Sequence, residues 1–212
     1  YDEWAKVGEP DASAKATDYA AEAKFHIVDG GLDELEKYKL HVDKPPEKVL
    51  KEIEGLTTIR DEIIARYAEV KDYGSRQWTV AALFRIGYCY DVHAKILLEA
   101  PIPKSLEKLP DDIKWDAIDQ YTQKINSLVW PIEDMAREAY ENAYKVSQVA
   151  GVMNKWTELT LERLNAYAPD EYPLYKKGVL GETELTYQMP SLDLKAPGSG
   201  SKTEDEQPGT EE

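Results

Sequence analysis

The chain has 212 residues, 42% of them hydrophobic and 32% charged, with 14 Tyr and 5 Trp against only 2 Phe. That length and balance specify one folded domain or two small ones and argue against a disordered polymer. The formal net charge of −15 argues against DNA, RNA or an anionic membrane surface as partner, each of which requires a basic footprint, and favours a neutral or basic protein or peptide.

Cys89 is the lone cysteine, which removes any intramolecular disulfide, and no apolar run reaches the length of a membrane span. The sequence begins at Tyr1 rather than Met, as expected of a processed protein or a piece of a longer one.

Pro10-Asp11 predicts the start of a first helix with Asp11 as N-cap. Its apolar pattern runs through Phe25, Val28, Leu32 and Leu35, with a kink or break expected at Gly30-Gly31. Pro45-Pro46 starts a second helix through Ile53, Ile59, Ile63 and Tyr67. Gly74-Ser75 closes it, and Ser75 caps a third over about 76–99. This third stretch is apolar on more than one face and is stopped by Pro101 and Pro103.

A helix over about 111–129 follows. Pro131 predicts an interruption and a fresh helix to about 150. Gly151 is a C-cap and Asn154 the N-cap of a last helix ending near Tyr167. Residues 176–194 read as an extended strap with a short strand around Leu185–Tyr187. The 195–212 segment, rich in Gly, Ser, Pro and Glu, reads as a disordered acidic tail that carries about one-fifth of the charge excess. The expected class is all-α, with the helical domain in residues 1–175.

Self-similarity organises the helices. Trp78-Thr79 precedes Leu83, Arg85 and Ile86 with the same spacing that separates Trp156-Thr157 from Leu161, Arg163 and Leu164. Ala21 and Ala136 each stand four residues before an aromatic, Phe25 or Tyr140, which places small and large side chains on one helical face. Leu83, Ile86, Gly87 and Tyr90 resemble the W-x-x-L-G-x-x-Y pattern of a tetratricopeptide first helix, with Leu in the place of Trp, where glycine admits a closely packed partner; the A-x-x-x-[FY] second-helix signature is absent after Tyr90, so the repeat is degenerate.

In the order of its segments, from A-x-E-A-x-F through W-T-x-x-A-L-x-R-I-G and P-I-E-D-M-A-R-E-A-Y to G-V-M-N-K-W-T, the chain resembles tetratricopeptide-repeat proteins of myxobacteria and other deltaproteobacteria. Some of those belong to gliding-motility machinery of the cell envelope. The resemblance covers about residues 20–175. It implies a degenerate α-solenoid of antiparallel helices acting as a periplasmic or outer-membrane scaffold. In such an array the inner helices line the groove, which makes Phe84, Tyr88, Asp91 and Glu162 candidate partner contacts.

Catalytic chemistry finds little footing. Cys89 and His93 lie four apart, a metal-compatible spacing, but two ligands without a second pair read as a buried thiol and a core histidine. Glu22 and His26 miss the Glu-x-x-His spacing of di-iron bundles. Asp111-Asp112 and Glu133-Asp134 read as helix-start carboxylates favoured by the helix dipole. Trp78 and Trp156 read as packing anchors, and Arg85 and Arg163 as interhelical ion-pair donors.

The expected function is therefore non-catalytic protein–protein docking without cofactor or metal. The rivals are a helical enzyme or small-ligand carrier with an interhelical pocket, and a structural segment of a larger chain.

Overall fold

A computed structural model describes residues 14–174. Within them lie six α-helices and no strand: α1 Ala14–Glu36, α2 Pro46–Ala68, α3 Arg76–Leu98, the single turn α4 Lys104–Glu107, α5 Asp111–Ala150 and α6 Lys155–Tyr167. A 3₁₀ segment, Glu69–Tyr73, extends α2 as far as Gly74. The expected N-cap Asp11, the strap with its strand and the tail lie outside the described residues.

Local chemistry sets most boundaries. Gly74 adopts a left-handed φ of 77°, and Ser75 Oγ accepts the Trp78 N–H at the start of α3. At the other end of the domain, Gly151 at φ 66° lets the Val152 N–H reach the Ser147 carbonyl at 2.8 Å, the six-residue closure of a Schellman turn. Asn154 Oδ1 then accepts the N–H groups of Trp156 and Thr157, so two helices are joined by a turn that satisfies its own orphan groups.

Two expected breaks do not occur. Helix α1 runs unbroken through Gly30-Gly31, because Val28, Leu32 and Leu35 are buried on either side and their packing outweighs a glycine cost of about 1 kcal/mol each. Helix α5 runs 40 residues straight through Pro131. A mid-helix proline costs about 3 kcal/mol, but Val129 is buried beside it against Leu97 and Ala94. Pro131 and Ser127, whose carbonyl loses its usual donor, are both exposed, so water can serve that carbonyl. Glu133-Asp134 accordingly sit mid-helix, and the helix-start explanation applies only to Asp111-Asp112.

Helix α3 is the hub. It packs against α1, α2, α5 and α6, most extensively against α5, and ten of its residues are buried, from Val80 to Leu97. The main core gathers Phe25, Leu35, Leu56, Tyr67, Val80, Phe84, Tyr140 and Leu164. A smaller cluster joins Leu40 and Val42 of the α1–α2 connection to Leu97 and Val129. The connection is pinned by Glu52, which accepts the His41 N–H at 2.8 Å and pairs with Lys44. No helix of the described residues is long and apolar enough to cross a membrane.

The α3–α5 approach depends on Gly87. A methyl group there would lie 2.7 Å from Tyr140 Cε1 and 2.8 Å from Cδ1. Tyr140 is fully buried and tethered by its hydroxyl to Asp91, so the ring cannot retreat. Gly87→Ala should therefore destabilise by about 1–2 kcal/mol, overpacking exceeding the gain in helix propensity. Gly30→Ala, with open space at its β position, should stabilise by about 0.5–1 kcal/mol. Urea unfolding of the two variants checks both signs.

Candidate functional site

The repeated Trp-Thr segments converge in space. Phe25 of α1 sits 5.1 Å from the Trp78 ring and 5.4 Å from the Trp156 ring, and Phe84 lies 5.5 Å from Trp156. Trp156 is buried and flanked by two cations, Lys155 Nζ at 4.6 Å and the Arg85 guanidinium at 5.3 Å. Both tryptophans are thus packed among helices, with Trp156 also forming part of a groove wall.

The two repeat arginines pair in related ways. Arg85 donates from Nη2 to Asp29 Oδ2 at 3.1 Å. Its Nε lies 2.8 Å from Oδ1 as an ion-pair contact but is not directed at it as a hydrogen bond. Asp29 also accepts the Tyr67 hydroxyl at 2.7 Å. Arg163 lies 3.8 Å from Asp91, and Asp91 accepts the hydroxyls of Tyr140 at 2.7 Å and Tyr167 at 2.6 Å. Each node joins an aspartate, a repeat arginine and buried tyrosine hydroxyl groups across helices. Burial, with the adjoining carboxylate, pushes the Tyr67, Tyr140 and Tyr167 phenols well above their ordinary value, which keeps them protonated donors.

Alongside α3 and α6 runs a groove of two adjoining cavities. The larger, about 1140 Å³, is bounded by the Tyr38–His41 connection, α3 from Tyr88 to Glu99, Glu133 of α5, and Arg163 and Tyr167 of α6. The smaller, about 490 Å³, lies between Phe84, Arg85 and Tyr88 on one side and Lys155, Trp156, Leu159 and Glu162 on the other. Tyr88, Arg163 and Ala166 border both.

The four candidate contact residues all line this groove, in different ways. Tyr88 is half-buried at the junction and donates to Glu36 at 3.0 Å. Glu162 is exposed. Phe84 is buried and forms floor rather than rim. Asp91 has its carboxylate engaged by the two tyrosines and Arg163, so its first role is to hold α5 and α6 on α3. Reasoning from the motif missed Lys155, Glu36, Glu133 and the Tyr38–His41 connection. These come from other helices and a loop, and no spacing within α3 announces them.

Cys89 and His93 do not form a ligand pair. The Cys89 thiol is buried, which pushes it up to about 12. His93 Nδ1 accepts from Arg60 Nη1 at 2.8 Å, so its proton resides on Nε2, which has no protein partner. No cluster of three metal-ligating side chains occurs among the described residues.

Burial, and then the Arg60 charge, lower the His93 pKa from 6.5 to about 4. Between those values the unfolded chain binds the extra proton, so His93 makes stability fall as pH drops through that window. His93→Gln, whose amide oxygen can still accept from Arg60, should flatten the pH dependence of urea unfolding between about pH 6.5 and 4.

Comparison with known protein families, characterised proteins and solved structures gives no match.

The node and the rim make opposite predictions. Asp91→Lys buries a cation against Arg163 and removes the acceptor of two hydroxyl groups, so it should destabilise by more than about 3 kcal/mol. Glu162→Lys at the rim should change stability by less than about 0.5 kcal/mol. Thermal unfolding of the two variants distinguishes the roles.

Proposed function

We propose that this chain is a non-catalytic docking scaffold, a tetratricopeptide-like helical array that receives a neutral or basic protein segment in the groove between α3 and α6. The carrying observation is that the groove is open, with an aromatic and apolar floor of Phe84, Tyr88, Trp156 and Leu159, while its most buried polar groups already hold helices together. Asp91 accepts two hydroxyls and Arg85 is paired with Asp29. Groups committed in this way position a surface; they are not poised to exchange protons or attack a substrate.

Three further features support the reading. With the single turn α4 set aside, close backbone contacts join each helix to the next and, through α3, to the one beyond it, as stacked helix pairs do. The Gly87–Tyr140 packing joins the glycine of the first-helix pattern to the aromatic of the Ala-x-x-x-aromatic pattern. The charge excess lies mostly outside residues 195–212, so it can steer a neutral or basic partner to the folded body. A place in a bacterial envelope assembly belongs to the proposal on the strength of the segment order alone.

Ala166 is exposed and borders both cavities, so Ala166→Trp should fill the groove without disturbing the core. Affinity capture from the native host with the wild-type chain and this variant in parallel tests the site. Partners that depend on the groove should be retained by the wild type and reduced at least about tenfold by the variant, the effect of losing about 1.4 kcal/mol. Identical captured sets would contradict the proposed site.

A further inference from the structure

Helix α5 is longer than the core it packs against. Its Tyr140 meets Gly87 of α3 and its Val129 clusters with Leu97, so the two helices run antiparallel. Because α3 ends at Leu98, it stops beside Val129. The residues from Asp111 to Ser127 continue past that point as an arm of about 25 Å at 1.5 Å per residue. Not one residue from 101 to 128 is buried.

The arm nevertheless keeps the apolar row that packs the rest of the helix. Val129, Ala136 and Ala143 are buried and recur every seven residues, with Ile132 and Ala139 between them. The same heptad continues toward the N-terminus as Ile125, Thr122, Ile118 and Trp115. Ile125 still packs on the smaller core cluster, but Ile118 belongs to neither cluster and Trp115 is 67% exposed. A heptad row is the seam of a coiled coil and is completed by a second helix. Along the body α3 is that helix. Along the arm, the connection after α3 is tied to the side of Tyr121, whose hydroxyl donates to the Pro101 carbonyl at 3.3 Å. The single turn α4 touches α5, yet four residues do not fill a seam, and Trp115 stays open.

The two edges of this seam differ in charge. At about 100° per residue, Asp112, Asp116 and Asp119 fall together on one edge, while Lys114 and Lys124 fall on the other, beside Tyr121. Residues 101–127 hold five acids against four lysines, so the arm is close to neutral in total and its charges are sorted by edge. The lysines are partly engaged: Lys104 pairs with Asp43, and Lys114 lies 5.6 Å over the Trp115 ring. On the acidic edge, Asp119 accepts from the neutral Gln123 amide at 2.7 Å. Among the described residues the one salt bridge to a carboxylate of α5 is Arg137–Glu141, which leaves the three aspartates open to a partner's cations.

We infer that the seam of the α5 arm is a second docking site, separate from the α3–α6 groove, and that its occupant is an amphipathic helix of another protein. That helix carries apolar residues at heptad spacing and a row of Lys or Arg along the edge that meets Asp112, Asp116 and Asp119. Trp115 is its anchor. A second copy of this chain fits the seam poorly. Antiparallel pairing sets like edges together, aspartates against aspartates. Parallel pairing sets opposite edges together but also brings the two bodies to the same end, where α3 already fills each seam.

The test uses the full chain and two fluorescein-labelled helical peptides of about 18 residues, the span of the arm. Both carry Leu at the heptad seam; one has Lys and the other Glu along both edges. Fluorescence anisotropy should show the Lys peptide binding at least about tenfold more tightly than the Glu peptide. Trp115→Ser should weaken the Lys peptide at least about tenfold with an unchanged thermal midpoint, because that side chain is exposed. Asp112→Lys combined with Asp119→Lys should reverse the preference between the peptides. Ala166→Trp should leave both affinities unchanged, since it fills the groove and not the arm.

Equal affinity for the two peptides, binding that ignores Trp115→Ser or the paired aspartate substitutions, or no saturable binding overturns the inference. Loss of binding in Ala166→Trp overturns it as well and places the peptide in the groove. Sedimentation velocity of the free chain supplies the remaining outcome: a dimer that Trp115→Ser converts to monomer would make a second copy the occupant and overturn the choice of partner.

Discussion

Tyr140 is held on two sides at once. Its ring presses on the bare backbone of Gly87, closer than any side chain at that position would allow, and its hydroxyl ends on Asp91 one turn further along the same helix. The contact fixes the spacing of α3 and α5, and the hydrogen bond fixes their register. Tyr167 adds α6 to the same carboxylate. Without this arrangement α6 would lose its register on the hub, and the groove between α3 and α6 would lose one wall. The aromatic floor follows from the same placement, since Phe84 meets both Tyr140 and Trp156.

The Asp29 node repeats this logic on the other side of the hub. There α1 supplies the carboxylate, α2 the tyrosine and α3 the arginine. At the Asp91 node α3 supplies the carboxylate, α5 and α6 the tyrosines, and α6 the arginine. Helix α3 thus gives an arginine to the helices before it and an aspartate to the helices after it. The two nodes differ in completeness: Arg85 Nε is buried without a hydrogen-bond partner at the Asp29 node, whereas Arg163 at the Asp91 node is half-exposed, so what they share is the fixing of helix register through aspartate and tyrosine. For the docking role proposed above, a fixed helix register is what would keep the groove preformed and its binding cost low.

Much of this fold could be read from residue order, and the reasons are local. Ser75, Gly151 and Asn154 act through hydrogen bonds to residues within a few positions, so their roles survive any tertiary context. Gly87 was identified as the point of helix approach because small-against-large packing leaves a pattern in the chain. Gly30-Gly31 and Pro131 misled for the complementary reason: local propensity favours a break there, and burial of Leu32, Leu35 and Val129 overrides it. The Trp-Thr repeat indicated that Arg85 and Arg163 would be equivalent, but their acceptors Asp29 and Asp91 occupy unrelated sequence contexts. The groove was half visible: Phe84, Tyr88, Asp91 and Glu162 line it, whereas Lys155, Glu36 and Glu133 reach it only through the fold.

The most direct measurement of this account is a double-mutant cycle between Asp91 and Tyr167, which share one hydrogen bond across 76 residues of sequence. Stabilities of the wild type, Asp91→Asn, Tyr167→Phe and the double variant would be compared by urea unfolding. If Asp91 joins α6 to the hub, the cycle should return a coupling of at least about 1 kcal/mol. Additivity within about 0.3–0.5 kcal/mol, the behaviour of independent sites, would contradict the node and with it the preformed groove.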